Sequence, residues 1–231
     1  MIPLRDCIRS KTFPYVNIAI IVITAAIWIW QATMSSRELA QVASVYGVVP
    51  ARVYHNLFVS HDYIAALLPL TTSVFLHGGW VHVLGNLLYL WVFGDNVEDR
   101  LGHFKYLLFY LAAGIAGGLA QILTDPASLV PVVGASGAIA GVLGAYVVSF
   151  PRARIETLLI LIIFISVVRI PAIYFIVFWF LLQLFNGVAS LGGGIGQVAY
   201  WAHIGGFVSG MLLIKLLSSR PAGPDETGCA S

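Results

Sequence analysis

LVPVVGASGAIAGVLGAYVVSF, Leu129 to Phe150, places Ser136 between alanine and glycine in an apolar run long enough to cross a bilayer. Downstream, the single histidine His203 lies in a second such run, Ile195 to Leu217, preceded by the glycines 192–194. A hydroxyl and an imidazole at similar depth in two membrane helices are the minimum parts of a serine nucleophile and its base. The bland alternatives are that Ser136 bonds back to its own preceding turn and that His77, next to the interface, is solvated or structural. A lone histidine in a span is scarce and more often functional.

Composition puts the whole chain in lipid. Of 231 residues, 59% are apolar and only 10% charged, with a mean hydropathy of +0.92; a soluble domain is about a quarter charged. Cys7 and Cys229 lie in the two tails, outside every apolar run, so neither a disulfide framework nor a thiol nucleophile is expected. The first apolar segment is too long for a cleavable signal and lacks a small-residue cleavage site, so it is read as an anchor.

Outward from the central stretch, apolar runs predict six spans. These are 13–33, 71–93, 104–123, 129–150, 170–188 and 195–217. Residues 1–12 form a short basic lead, 13–217 the membrane domain, and 218–231 a polar tail expected to be disordered. The mixed segment 34–70 reads as amphipathic pieces lying in the interface. Ile155 to Val168 is apolar but spans only about 21 Å as a helix. Arg154 and Arg169 bound it, so it is expected to be interfacial or to dip rather than cross. With six spans and both termini cytoplasmic, ten of the twelve Lys and Arg fall inside, and only Arg37 and Arg52 fall outside.

That topology starts spans two, four and six at the outer face. Each carries its polar residues away from its inner end: His82 and Asn86 around the middle of the second, Ser136 and His203 in the first halves of the fourth and sixth. Ser136 and His203 would lie about 10–12 Å deep, and the i, i+4 spacing of His82 and Asn86 puts them on one helical face. Four polar side chains from three helices thus converge on one outward-facing pocket. Gly114, Gly117 and Gly118, then Gly137 and Gly141, then Gly206 and Gly210 carry the small-xxx-small spacing of close helix packing.

In this order the motifs resemble the rhomboid family of intramembrane serine proteases, from about Phe13 to Leu217. The matching stretches are His77-Gly78-Gly79-Trp80-Val81-His82 running into Asn86, Val97-Glu98-Asp99-Arg100-Leu101-Gly102, Gly134-Ala135-Ser136-Gly137, and Ala202-His203-Ile204-Gly205-Gly206 with Gly210. The resemblance implies an all-α membrane protein, a bundle of six transmembrane helices. It makes Ser136 the nucleophile, His203 its base, and His82 and Asn86, with the Ser136 N–H, the oxyanion hole. It makes 191–199 a capping loop.

Two positions depart from the family. Its first loop often has a Trp-Arg pair where this chain has Leu68-Pro69, and an aromatic residue commonly follows the nucleophile by four where this chain has Ala140. The implied partners are transmembrane protein substrates and the lipid bilayer, with no nucleic acid, no cofactor and no metal. The implied location is a cell membrane of bacterial type. Three rivals remain. A transporter lacks support from any internal repeat or charged pathway. A metalloprotease using His77, His82 and His203 lacks a His-Glu-x-x-His motif or an intramembrane acid. The third is a catalytically impaired rhomboid-like binding protein.

Overall fold

In the computed structural model, which describes residues 1–161, 164–191 and 198–218, most of the chain is helical. The elements in order are β1 (Ile2–Asp6), α1 (Tyr15–Gln31), α2 (Ser36–Tyr46), α3 (Pro50–Phe58), α4 (Tyr63–Thr72), α5 (Trp80–Leu101) and α6 (His103–Thr124). They continue with α7 (Ser136–Ser149), β2 (Arg154–Leu161), β3 (Phe164–Pro171), α8 (Ala172–Ser190) and α9 (Tyr200–Leu217). By length and composition α6, α8 and α9 can each cross a membrane; α4 and α5 qualify together as a pair bent by 87°, and α1 and α7 are shorter apolar helices.

Two expected spans begin later than their hydropathy. The second run opens at residue 71, but α5 starts only at Trp80. Thr71 and Thr72 turn their hydroxyls back onto the carbonyls of Leu67 and Leu68, and Gly78-Gly79 then breaks the chain before α5. The fourth run opens at residue 129, but α7 starts at Ser136 itself. The backbone ahead of Ser136 is bonded to the first loop instead. Val48 and Val132 exchange N–H to carbonyl bonds of 2.9 and 2.8 Å, Ala51 N–H reaches Ser128, and Gly134 N–H reaches Ser73. For the sixth run, α9 starts at Tyr200, and 192–197 lie outside the described residues.

The mixed segment after α1 forms three short helices. A capping box starts α2, with Glu38 N–H bonded to Ser35 Oγ and Ser35 N–H to the Glu38 carboxylate. Asp62 caps α4. Leu68-Pro69 lies inside α4, and the loop is tied down elsewhere: Thr72 Oγ1 donates to Tyr46, and Arg52 donates to the carbonyls of Val45 and Gly47.

The all-α expectation needs one correction, a three-stranded antiparallel sheet in the order β1-β2-β3. The apolar segment between the arginines is a β-hairpin rather than a helix. Its composition explains why: Ile, Val, Thr and Phe are β-formers, and Ile155 and Thr157 alternate inward while Ile160, Ile165 and Val167 are exposed. The basic lead supplies the third strand, and Glu156 joins Arg5 (2.6 Å) and Arg169 (3.1 Å) across the sheet. Cys7 Sγ accepts from the Arg154 N–H at the start of β2 (3.1 Å), and Cys229 lies outside the described residues. Residues 219–231, the expected disordered tail, lie outside the described residues.

The bundle is keyed together at the β-sheet end by a buried acid. Glu98, with no exposed surface, accepts from the N–H groups of Val16 (3.0 Å) and Asn17 (2.6 Å) and from His103, capping the unsatisfied first turn of α1. Asn17 in turn donates to Leu90 of α5 and accepts from Tyr106 of α6. Helix α7 forms the centre. It is apolar all round, and all its residues except Ser136 and Val148 are buried. It packs backbone to backbone on α9, where a Cβ on Gly206 would run into Gly137 O and one on Gly210 into Gly141 O.

Candidate active site

Ser136 is the first residue of α7, so its N–H points out of the helix start with no intrahelical acceptor, and the helix dipole favours negative charge there. His203 sits in the first turn of α9. That turn is held by α6, where Gln121 Oε1 accepts from Ala202 N–H (3.3 Å) and Gly117 leaves room for the Ala202 carbonyl. Close packing brings the two helices' polar residues into register: Ser136 Oγ lies 2.7 Å from His203 Nε2. The other imidazole nitrogen, Nδ1, lies 2.8 Å from Gln183 Oε1 on α8.

His82 and Asn86, one turn apart near the start of α5, line the same cavity of ≈ 990 Å³ as Ser136 and His203. The opposite wall of His82 is Gly134. With φ +132°, Gly134 holds a backbone conformation that side chains avoid, and a Cβ there would stand 2.7 Å from the His82 ring. Asn86 is buried, and its Nδ2 lies 2.8 Å from Nε2 of His77. His77 is itself clamped through its backbone by Gln31 of α1, which donates to its carbonyl (3.2 Å) and accepts from its N–H (3.0 Å). His77 thus stands behind Asn86 rather than in the cavity. Among the described residues no three His, Cys, Asp or Glu side chains gather as a metal site would need.

The position four after Ser136 is Ala140, fully buried. Aromatic rings reach His203 from elsewhere: Trp179 of α8 at a centroid distance of 5.9 Å and Tyr200 at 6.4 Å, edge-on.

All four residues singled out in the sequence therefore line one cavity. A hydroxyl bonded to a ring nitrogen, beside an amide and a second imidazole, can lose its proton as it attacks a carbonyl and can have the resulting oxyanion received by donors. The sequence reading passed over Gln31 and Gln183. A side-chain amide in an apolar span is the signal that marks each of them, as it marks Asn17 and Asn186 in the same two spans.

The family model for the Rhomboid domain matches residues 65–220, which takes in Ser136, His203, His82, Asn86 and Gln183. The chain belongs to the rhomboid family. Among relatives, it is 34% identical over 67% of its length to Rhomboid protease GluP of Bacillus subtilis. It is 30% identical over 77% of its length to Rhomboid-like protein 11, chloroplastic, of Arabidopsis thaliana. It is 31% identical over 68% of its length to Rhomboid protein 1, mitochondrial, of Saccharomyces cerevisiae. The matches span 27%, 60% and 43% of those three proteins' own lengths. As a rhomboid with several apolar helices, it is a multi-pass membrane protein of a serine protease family.

Proposed function

We propose that this rhomboid is an active intramembrane serine endopeptidase that hydrolyses peptide bonds in or near the transmembrane segments of other membrane proteins. The observation that carries the reading is the 2.7 Å contact between Ser136 Oγ and His203 Nε2 in a cavity shared with His82 and Asn86. Ser136 attacks the scissile carbonyl while its proton passes to Nε2. The oxyanion is received by the Ser136 N–H and the side chains of Asn86 and His82. Collapse expels the amine, which takes the proton from His203, and a water activated by the same imidazole then hydrolyses the acyl-enzyme. In a site screened from water such donors count for more than they would in solvent. The protease domain is 13–217, six spans with both termini cytoplasmic, in a bacterial plasma membrane; the charge asymmetry of its loops supports that orientation.

Labelling with a fluorophosphonate probe tests the reading without knowledge of the substrate. Wild-type protein should be labelled at Ser136, and Ser136→Ala and His203→Ala should each abolish labelling and the cleavage of a model transmembrane substrate. The double variant should be little worse than either single one. Turnover by purified Ser136→Ala would overturn the mechanism.

A further inference from the structure

The imidazole of His203 is held at both ends, and only one end is accounted for by the reaction. Its Nε2 faces Ser136, while its Nδ1 faces the side-chain oxygen of Gln183 at 2.8 Å. The far end of that amide settles which way it points. Gln183 Nε2 approaches the Trp179 carbonyl one turn earlier at 3.4 Å, and a carbonyl can only accept, so the amide oxygen is the atom turned to the ring. An oxygen facing Nδ1 requires a proton on Nδ1. That leaves Nε2 as the lone-pair nitrogen, the tautomer that can accept from the Ser136 hydroxyl.

We propose that Gln183 is a positioning residue for His203, the third member of a Ser136–His203–Gln183 relay, an inference that rests on the serine-protease reading above. Gln183 fixes the tautomer and the ring plane. As Nε2 takes the serine proton, the amide oxygen keeps accepting from Nδ1–H and stabilises the imidazolium. A carboxylate would do the same with more force, but an unpaired charge is costly in the apolar surroundings of α8. A neutral amide holds the tautomer without that cost, as asparagine does beside histidine in cysteine proteases. Trp179, four residues earlier on the same helix face, lies over the ring from the same side chain row. Two α8 residues thus restrain the imidazole in a chain where Ala140 offers α7 no aromatic ring to do so.

Two variants separate positioning from packing. Gln183→Met keeps the length and apolar volume but has no acceptor for Nδ1–H. Gln183→Glu keeps an acceptor but places an acid in an apolar helix. A positioning role predicts that Gln183→Met loses about tenfold in kcat, the value of one hydrogen bond, with KM unchanged. It predicts that Gln183→Glu stays well above Gln183→Met. If Gln183 merely packs, the order inverts, since methionine is the better fit to a lipid-facing bundle. Nitrogen-15 NMR of labelled histidine in detergent-solubilised protein reads the tautomer directly and does not require turnover. The Nδ1–H form should dominate for His203 in wild type and Gln183→Glu and should give way to a mixture in Gln183→Met. An unchanged tautomer in Gln183→Met, or kcat equal to wild type, would overturn the proposal. Failure of the wild-type protein to label with fluorophosphonate would instead overturn the protease reading, with the tautomer measurement still deciding the role of Gln183.

Discussion

Gly117 of α6 touches no reacting atom, yet adding one methyl group there should disable the site. A Cβ at position 117 would stand 2.6 Å from the Ala202 carbonyl oxygen, where ordinary contact begins at 3.4 Å. The obstacle is backbone, with no side chain to swing aside, so α9 must recede from α6 by about 0.8 Å. Ala202 precedes His203, and the same displacement would stretch the 2.7 Å bond from Ser136 Oγ by up to that amount, to about 3.5 Å at most, where it is lost as a hydrogen bond. Misplacement on the order of 1 Å costs up to about a hundredfold in rate, and overpacking of this kind destabilises by about 1–3 kcal/mol. Gly117→Ala should therefore lose between about tenfold and a hundredfold in kcat for a model transmembrane substrate, assayed in proteoliposomes. Gly118→Ala is the matched control, because its new Cβ crowds the far end of the Leu70 side chain and no backbone atom. Wild-type turnover in Gly117→Ala, or an equal loss in Gly118→Ala, would refute the claim that the α6–α9 approach sets the Ser136–His203 distance.

Removing one donor from the cavity, by Asn86→Ala or His82→Ala, should slow cleavage by about one to three orders of magnitude without abolishing it; full activity in both would make them packing residues. Ala140→Phe should lower both thermal stability in detergent and activity, because Ala140 is fully buried and Trp179 and Tyr200 already stand beside His203; a gain in rate would show unfilled space there. Asp6 at the end of β1 accepts from Tyr146 and Asn96, and burial, with the charge of Asp95 adding to it, pushes its carboxyl from 3.8 up to about 7. The folded protein thus holds a proton that the unfolded chain has lost between those values. Its stabilising share is full below about pH 4 and disappears as pH rises through 7. Asp6→Asn should flatten that fall, seen as a smaller difference in thermal unfolding between pH 5 and pH 8; an unchanged difference would assign the pH dependence elsewhere.

Much of this protein is a property of its sequence taken locally. Hydropathy is additive over neighbouring residues, so the apolar runs located α1, α6, α8 and most of α9 within a few residues. The i, i+4 spacing of His82 and Asn86 is likewise set by helix geometry alone, and Ser136 and His203 stand out because polar groups are rare in spans. What the sequence could not decide were contacts between segments far apart along the chain. The run from Leu129 is apolar enough to be helix, but Val132 pairs with Val48, and that bridge is what delays α7 until Ser136. The lead and the hairpin form one sheet although Asp6 and Ile155 are separated by most of the chain. Nor could periodicity show which side of α8 faces the site. The helix is apolar around its whole circumference, and each residue turns it by about 100°, so no hydrophobic stripe marks the inner face. Only packing against α9 turned Gln183 and Trp179 toward His203, and an amide that reads as one polar residue in a lipid span became the partner of the imidazole.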